Sequence, residues 1–326
     1  MQHPANTLLE LSMFYAVPRC LTVIADLGVA DKLDDNPRTA AELAASVGAD
    51  ANALARALRL VASYGVFEAR KDGYVHTPAS RLLRSDHPQS MRAYVRMIGF
   101  PIYWKGFEIL DHTIRTGKST MEEVTPGGAW AYLVSHPEES RIFDQAMTDK
   151  ARGQVAGILA TYDFSPFKTI ADIGGGRGHL LEAVLNATPN ATGVLFDQPH
   201  VVADVKVSAR MKLQGGDFFK DTLPVCDAYM IMQVIHDWSD GEALQILKGI
   251  RRVAPPHAKL LLIEAIVPEH ADPSWIKMLD IFMMTLLNGK ERTRPEFEKL
   301  LASAGFKLDK VLEIGLGTSI LEASCG

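Results

Sequence analysis

The sequence predicts an α/β fold: a doubly wound, mostly parallel sheet with helices on both faces, preceded by a helical N-terminal domain. From about residue 168, short apolar runs rich in β-formers alternate with helical stretches, as in doubly wound sheets. Before residue 100, apolar residues recur at helical spacing. A chain of 326 residues is long enough for about two domains. The runs predicted to be strands are KTIADI, TGVLFD, DAYMIMQVI and AKLLLIEAIV.

Residues 1–100 follow the order helix, turn, helix, hairpin. Thr39 followed by Glu42 is a capping-box sequence that starts a helix, and Gly48 is placed to end it. A second helix follows, and Asp72-Gly73 between two β-rich runs is a strong hairpin signal. This order predicts a winged-helix-like unit.

The charge of this unit argues against DNA binding. Residues 1–100 contain eleven Lys and Arg and ten Asp and Glu, a net charge of 11 − 10 = +1, which is weak for a surface that binds phosphates. The second helix carries only Arg56 and Arg59 among mostly apolar residues. We therefore expect the unit to serve in packing or dimerisation.

The composition of the whole chain excludes further classes. Its 34 Lys and Arg and 39 Asp and Glu give a net charge of −5, which argues against a nucleic-acid or anionic-membrane binder. The three cysteines match no disulfide framework or metal-site spacing. We find no signal-peptide pattern and no apolar run near the ~18 residues of a membrane span. A cytoplasmic protein without nucleic-acid or membrane partners is expected.

The rest of the chain divides near residue 160. Residues 101–160 are predicted to be mostly helical, with one long helix from about Pro137 to Tyr162. The alternating strands and helices occupy 161–326, and the last two apolar runs predict a terminal hairpin on the sheet. The predicted domains are therefore 1–100, 101–160 and 161–326.

A glycine-rich loop between the first strand and the next helix is the most informative segment. Asp172, Gly174, Gly176 and Gly178 form the pattern D-x-G-x-G-x-G. Glycines let the chain turn sharply and let a ligand approach its backbone. A dinucleotide fingerprint would need its third glycine at position 179, which is His179. The spacing is instead typical of loops that bind S-adenosylmethionine, an amino acid joined to a nucleoside.

Further residues support the binding of a nucleoside. Asp197 ends the second strand of the sheet, where a carboxylate accepts hydrogen bonds from ribose hydroxyl groups. Asp217 and Phe218 follow the third strand, in position to accept from an adenine amino group and to cover the ring. The alternative is that Asp217 is a turn residue and Phe218 is core, which the glycine loop and Asp197 together disfavour.

A histidine is predicted at the same edge of the sheet. His236 follows the fourth strand, and open α/β sheets bind ligands beyond the carboxyl ends of their strands. Glu264 lies within the next, apolar strand, where a carboxylate is costly unless it is paired. Pairing with an imidazole N–H would remove that cost and fix the tautomer. Glu291, in GKERT, is explained equally well by an exposed cluster of charges at a helix end.

These motifs resemble the O-methyltransferases of the plant caffeic-acid and hydroxyindole type, which include bacterial members that tailor antibiotics and pigments. The matching stretches are DIGGGRGH, FDQPHVV, GDFF, HDWSD, DIFMM, GKERT and AGF. The resemblance spans nearly the whole chain, since an N-terminal winged-helix dimerisation domain fits as well. It implies a Rossmann-like methyltransferase domain over 161–326 that binds S-adenosylmethionine and methylates a hydroxyl group of a small aromatic molecule.

The resemblance also implies roles for single residues. His236 would be the general base, with Glu264 and Glu291 flanking and orienting it. No metal and no cluster of carboxylate ligands near His236 is expected. Family contacts with the cofactor would fall on Gly174, Asp197, Asp217 and Phe218.

Two positions depart from the family pattern. Phe218 stands where many plant members have Met, which keeps an apolar cover for adenine. Met232 stands where plant members have a Lys that contacts the cofactor. That contact is therefore lost, and Met232 is expected to be core.

An acceptor pocket and a homodimer are implied too. Met147 and Met283 match family methionines that hold the acceptor ring, and a thioether suits an aromatic face. Trp130 and Phe143 are further candidates for the pocket wall, although helix core explains all four residues equally well. In the family, the N-terminal domain exchanges helices across a two-fold axis. LLELSMFYAV is therefore a candidate to cover the partner's pocket.

Three other functions stay open at this point. The glycine spacing disfavours an NAD-dependent oxidoreductase, and the near-neutral charge of residues 1–100 disfavours a DNA-binding regulator. A family member that has changed to N-methylation, hydroxylation or decarboxylation is disfavoured by His236 together with both glutamates. The sequence does not identify the acceptor.

Overall fold

The computed structural model of the protein describes residues 3–203, 205–206, 208–315 and 317–326. These residues form two compact units. The N-terminal unit contains the described residues up to Lys105 together with Tyr132–Lys150, and the sheet unit contains Gly106–Ala131 and Ala151–Gly326. The two units interleave along the chain, and the predicted division into three consecutive domains stays a prediction.

The first hundred residues form helices and one hairpin, in the predicted order. Thr39 and Glu42 cap the third helix reciprocally, and Gly48 ends it with φ +70°. The two short strands pair antiparallel around Asp72-Gly73, which confirms the predicted hairpin. The elements are α1 (Pro4–Met13), α2 (Ala16–Leu27), α3 (Ala40–Val47), α4 (Ala51–Ser63), β1 (Phe67–Arg70), β2 (Gly73–His76), α5 (Pro78–Arg81) and α6 (Arg92–Ile98).

Helix α1 carries apolar side chains on its surface. Leu8 and Leu11 are 72% and 66% exposed. By length and composition alone, Pro4–Leu27 is apolar enough to cross a membrane. The expectation that no apolar run comes near a span is therefore wrong for this stretch, which a turn at Phe14 and Tyr15 divides into two helices. Exposed apolar surface of this kind is equally typical of a contact with another protein.

Five helices follow before the sheet. They are α7 (Pro101–Glu108), α8 (Leu110–Thr116), α9 (Met121–Val124), α10 (Gly128–Ser135) and α11 (Pro137–Thr161). Helix α11 confirms the predicted long helix, and its proline occupies the first turn, where no intrahelical N–H is needed. Residues 125–127 form a short loop between α9 and α10, which begins at Gly128.

The sheet unit contains one seven-stranded sheet. Its strands are β3 (Thr169–Ile173), β4 (Thr192–Asp197), β5 (Met211–Gly215), β6 (Ala228–Met232), β7 (Lys259–Ala265), β8 (Phe306–Gly315) and β9 (Thr318–Cys325). The spatial order is β5-β4-β3-β6-β7-β9-β8. The first five of these strands run parallel, and β8 and β9 form the predicted antiparallel hairpin at one edge. The predicted doubly wound α/β sheet is confirmed.

Helices cover both faces of this sheet. They are the last part of α11 with α12 (His179–Ala187), α13 (Pro199–Val202), α14 (Asp240–Val253) and α16 (Arg294–Ser303). A further helix, α15 (Trp275–Leu287), contacts α8, α9 and residues 235–237. In β6, Tyr229 and Ile231 belong to one apolar core and Met230 to the other, and all three are fully buried. Strand β6 is thus fixed from both sides, which sets the position where the chain leaves the sheet towards His236.

Candidate active site

The loop after β3 has a left-handed backbone at alternate glycines. The φ angles are +70° at Gly174, +58° at Gly176 and +79° at Gly178, a conformation that strains residues with a Cβ. A Cβ at Gly174 would lie 2.8 Å from Val234, and one at Gly178 would lie 2.9 Å from Leu195. Among the described residues, nothing lies within 4 Å of a Cβ at Gly176. Gly176 therefore borders open space in which a ligand could approach the backbone.

Asp172 lies directly against this loop. Both of its carboxyl oxygens are buried, and neither makes a hydrogen bond within the described part of the chain. A Cβ at Gly175 would lie 2.5 Å from this carboxyl group. Burial, and then the negative charge of Asp197, raise the pKa of Asp172 to about 7. An unpaired buried carboxyl group fits a ligand that brings a cationic or hydrogen-bond-donating group, as the amino group of the predicted cofactor would.

Asp197 connects the glycine loop to the end of β4. Its Oδ2 accepts from the amide of Gly176 at 2.8 Å, and its Oδ1 accepts from the amide of Gln198 at 2.7 Å. The structure therefore brings Asp197 and the glycine loop together at the carboxyl edge of the sheet, where both were predicted.

Asp217 and Phe218 follow β5. Asp217 Oδ2 pairs with Lys220 at 2.7 Å, and its Oδ1 accepts from the amide of Phe219 at 2.9 Å. The bond from Lys220 and then that from Phe219 lower the pKa of Asp217. Phe218 is half-buried, with its ring perpendicular to Trp238 at 5.8 Å. These contacts match the alternative role of Asp217 as a turn residue, and its contact with adenine stays a prediction.

His236 lies beyond the strand that was predicted to lead up to it. Strand β6 ends at Met232, and Gln233 has φ +52°. The chain thus leaves the sheet three residues earlier than the apolar run suggests, and His236 falls within a 3-10 turn, Ile235–Asp237. Met232 packs against a core, as expected from its departure from the family pattern.

Glu264 stabilises the start of this turn. Its Oε1 accepts from the amides of Val234 at 3.2 Å and Ile235 at 2.9 Å. Its Oε2 lies 4.0 Å from Nδ1 of His236, too far for a hydrogen bond. Glu264 thus pairs with His236 through its charge and not through the predicted hydrogen bond, because Oε1 accepts from the two backbone amides while Oε2 lies 4.0 Å from Nδ1.

Glu291 is the carboxylate that contacts the imidazole. Its Oε1 lies 2.7 Å from Nδ1 of His236. Glu291 is only 2% exposed, so the alternative of an exposed charge at a helix end is wrong. Its amide donates to Oδ1 of Asp280 at 2.9 Å, which fixes the backbone from the side of α15.

The charges around His236 make it a strong proton acceptor. Burial by itself lowers the pKa of His236, but the negative charges of Glu264, Glu291 and Asp237 outweigh burial and raise the pKa to about 9. Burial raises the pKa of Glu264 to about 7, against the opposing charge of His236. Within the described chain, Oε2 of Glu264 and Oε2 of Glu291 are buried without a hydrogen bond. The cluster is therefore acidic, buried and centred on one imidazole.

This cluster also has the composition of a metal site. His236, Glu264 and Glu291 each offer one ligand atom, and these atoms lie within 4.8 Å of one another. The expectation that no cluster of potential ligands lies near His236 is thus wrong. These three residues are far apart in the sequence, so their spacing could not indicate that they meet. That the chemistry needs no metal stays a prediction.

The candidate acceptor residues are divided between the units. Met283 is buried on α15 and Trp130 is largely exposed on α10, both in the sheet unit. Phe143 and Met147 are half-buried on α11, within the N-terminal unit. A shared acceptor pocket of these four residues stays a prediction.

Sequence analysis missed two residues that contact this site. Asp280 accepts from the amide of Glu291, and Arg292 is a fully buried cation beside the turn of His236. Both lie in quoted motifs, DIFMM and GKERT. A charge within an apolar run was the available signal for Asp280, and nothing in the sequence marks Arg292 as buried.

Comparison with protein families gives two matches. Residues 107–307 match the O-methyltransferase domain, and residues 9–86 match the O-methyltransferase dimerisation domain. Phenazine O-methyltransferase PhzM of Lysobacter antibioticus is 41% identical over 98% of this chain and 96% of the relative. An 8-amino-8-demethylriboflavin N,N-dimethyltransferase of Streptomyces davaonensis is 34% identical over 98% of this chain and 96% of the relative.

A solved structure is similar over the whole chain. CalO1, a methyltransferase of calicheamicin biosynthesis in its SAH-bound form, has a TM-score of 0.92 and 33% sequence identity, and the match covers 100% of both chains. The predicted fold class, a Rossmann-like methyltransferase sheet with an N-terminal helical dimerisation domain, is confirmed.

Proposed function

We propose, from the premise that this chain belongs to the O-methyltransferase family, that it methylates a hydroxyl group of a small aromatic molecule with His236 as the general base. The chain is a methyltransferase of the kind that tailors small molecules, and S-adenosylmethionine is its cofactor. The observation that carries the proposal is the 2.7 Å contact between His236 and the buried Glu291.

The residues after β3 and β4 fit this cofactor. Gly176 has open space where a side chain would begin, Asp172 has a carboxyl group without a partner among the described residues, and Asp197 bonds the amide of Gly176 at the end of β4. Bound S-adenosylmethionine supplies an electrophilic methyl group on a positively charged sulfur. We expect cofactor contacts at these residues and at Gly174, Asp217 and Phe218.

The contact with Glu291 sets the tautomer of His236. In the neutral ring, Nδ1 carries the proton because the carboxylate of Glu291 accepts there, and Nε2 then has the lone pair. Nε2 is then the atom that takes the proton of the acceptor hydroxyl. Glu291 and Glu264 stabilise the resulting imidazolium, since both carboxylates lie within 4.0 Å of Nδ1.

The raised pKa of His236 reduces the cost of this proton transfer. A phenol has a pKa near ~10, so transfer to an ordinary imidazole of pKa ~6.5 costs about 5 kcal/mol. With the pKa of His236 raised to about 9 by the surrounding carboxylates, this cost falls to about 1 kcal/mol. The neutral base becomes more abundant as the pH rises towards 9, and we expect the rate to rise with it.

A second candidate function is N-methylation of an aromatic amine. One relative of similar coverage is named as an N,N-dimethyltransferase. A neutral aromatic amine attacks with its own lone pair and needs no base beforehand. Dependence on His236 therefore distinguishes a hydroxyl acceptor from an amine.

The test is a screen of hydroxylated aromatics and matched anilines with S-adenosylmethionine, read by the mass gain of one methyl group. We expect hydroxyl acceptors, and we expect His236→Ala to reduce their turnover about 10²- to 10⁴-fold with cofactor affinity within twofold. His257→Ala is the matched control, because His257 also pairs with a carboxylate, Asp227, at 2.9 Å. Unchanged hydroxyl turnover in His236→Ala would contradict the proposal.

The assembly belongs to the proposal as well. Residues 9–86 match a dimerisation domain, and α1 exposes Leu8 and Leu11. We infer a homodimer in which α1 contacts the partner chain, as the resemblance implies for the acceptor pocket. We also expect a cytoplasmic enzyme that binds neither nucleic acid nor membranes.

A further inference from the structure

We propose that Arg292 is the positioning residue of the base: its buried guanidinium fixes the turn that carries His236. This inference rests on the proposed function, since the position of the imidazole matters for catalysis only if it takes a proton.

The guanidinium of Arg292 bonds both ends of that turn. Arg292 is 0% exposed. Its donors contact the carbonyl that precedes His236, the carbonyl that follows Asp237, and the first residue of α14. The bonds run from Nε to Oδ1 of Asp240 (2.9 Å), from Nη1 to the carbonyls of Ile235 (3.1 Å) and Lys290 (3.2 Å), and from Nη2 to the carbonyl of Trp238 (2.9 Å).

The backbone beside Arg292 contacts the same turn. The amide of Lys290 donates to the carbonyl of His236 at 2.8 Å. A Cβ at Gly289 would lie 2.3 Å from that carbonyl oxygen, so only glycine permits this approach. Segment 289–292 thus bonds the backbone of the base, while Glu291 within it bonds the imidazole at 2.7 Å.

Arg292 is in turn anchored to the sheet. The amide of Val267 donates to the carbonyl of Arg292 at 2.9 Å, and Ile266 forms a parallel bridge with Arg292. These residues directly follow β7. Through Arg292, the turn that carries His236 is therefore held in a fixed position relative to β7, although the turn itself lies outside the sheet.

The planar guanidinium suits this role better than an ammonium group would. It presents several N–H donors in fixed directions, whereas lysine carries a point charge on a flexible stem. Arg292 uses its donors on three carbonyls and one carboxylate. Arg292→Lys keeps the positive charge and loses this geometry. It therefore distinguishes the effect of the hydrogen bonds on the position of His236 from the effect of the charge.

The experiment compares Arg292→Lys with the full-length wild type at saturating acceptor and S-adenosylmethionine. We expect kcat to fall about 10- to 100-fold, the acceptor KM and cofactor Kd to stay within twofold, and the acidic limb of the kcat–pH profile to move to lower pH. The limb moves because a looser contact with Glu291 stabilises the imidazolium less. An unchanged kcat, or a lower melting temperature with the pH limb in place, would overturn the proposal.

Arg251→Lys is the matched control. Arg251 also bonds two carbonyls, those of Gly305 at 3.0 Å and Gly326 at 3.1 Å, in the same unit but away from His236. We expect its kcat and its pH limb to equal those of the wild type. A shift of the limb in Arg251→Lys equal to that in Arg292→Lys would count against a specific role for Arg292.

A milder variant covers the case in which Arg292→Lys does not fold. Asp240→Asn weakens one of the bonds at a mostly exposed side chain, and we expect a smaller loss of kcat with the same direction of pH shift. The pKa of His236, titrated by NMR in protein labelled with ¹⁵N-histidine, should fall in both variants. An unchanged imidazole pKa overturns the role of Arg292, whereas full activity of His236→Ala overturns the proposed function instead.

Discussion

The imidazole of His236 shares its buried surroundings with three carboxylates at different distances. Glu291 lies at 2.7 Å from Nδ1, Glu264 at 4.0 Å from Nδ1, and Asp237 at 3.4 Å from Nε2. Such crowding of negative charge favours the imidazolium over the neutral ring. Basicity is therefore set by which carboxylates surround the ring, and it should respond to the removal of a single charge.

Glu291→Gln tests this dependence. The substitution keeps the size of the side chain and removes the nearest charge, so the pKa of His236 should fall from about 9 towards its ordinary value. The neutral base then forms at lower pH, and the acidic limb of the kcat–pH profile moves to lower pH. The plateau should fall about tenfold or more, because a weaker base contributes less.

The measurement is kcat across pH 6–10 at saturating substrates. Glu298→Gln, which loses only a surface pair with Arg294, is the control and should leave the limb in place. A limb that stays put in Glu291→Gln would mean that this carboxylate does not set the basicity of His236.

At these residues, the sequence predicted which side chains come together but not every bond that they make. The apolar strand around Glu264 indicated a paired carboxylate, whereas the charged run around Glu291 left an exposed charge as an equally good explanation. In the structure both carboxylates are buried, and Oε1 of Glu264 accepts from backbone amides whereas Oε1 of Glu291 contacts the imidazole. Neighbours along the chain report the hydropathy of a segment, but they do not report which side chains meet across it.

At the scale of elements, the glycines of the loop after β3 differ in what surrounds them. Its left-handed glycines at 174 and 178 face side chains, whereas Gly176 faces open space. Backbone conformation alone would make the three positions equivalent. Their surroundings differ, so we expect Gly174 and Gly178 to serve close packing and Gly176 to serve ligand binding.

Gly176→Ala should therefore impair binding more than folding. A Cβ there occupies the ligand's space, so we expect the Kd for S-adenosylmethionine to rise about tenfold or more, while the left-handed backbone costs about 1–2 kcal/mol of stability. Titration calorimetry and thermal melts measure the two effects. Gly117→Ala is the matched control, since Gly117 has φ +70° and equally open surroundings at the end of α8. Equal loss of affinity in both variants would refute a cofactor role for Gly176.

Most elements were predictable, because caps and periodicity act locally. The capping box at Thr39, the hairpin at Gly73 and the long helix α11 all form as predicted. The end of β6 was not predictable. Its early exit depends on the left-handed Gln233 and on amides capped by Glu264 from the neighbouring strand, a tertiary effect.

At the scale of the whole molecule, chain order and spatial organisation differ. Helix α11 contributes its first part to the N-terminal unit and its last part to the sheet unit. The sequence predicted consecutive domains with boundaries near residues 100 and 160. It could not reveal that the chain returns to the first unit, because such a return depends on long-range packing.

The exposed face of α1 leads to a prediction about assembly. Leu8→Glu combined with Leu11→Glu places charge on an apolar surface that a partner chain would cover, so we expect a dimer in the wild type and a monomer in the variant by sedimentation. Stability within the chain should change little, since both side chains are largely exposed. Ile114→Glu, at a similarly exposed residue of α8, is the control. An unchanged dimer in the double variant would exclude α1 from the interface.

The burial of His236 has a consequence for the catalytic cycle. Under the proposed function, each methylation of a neutral hydroxyl group would leave one proton on an imidazole that is only 7% accessible to water. The ring is basic enough to retain that ion at neutral pH. Release of the methylated product would therefore not by itself regenerate the base. The imidazolium of His236 must first lose its proton to the solvent before the next turnover.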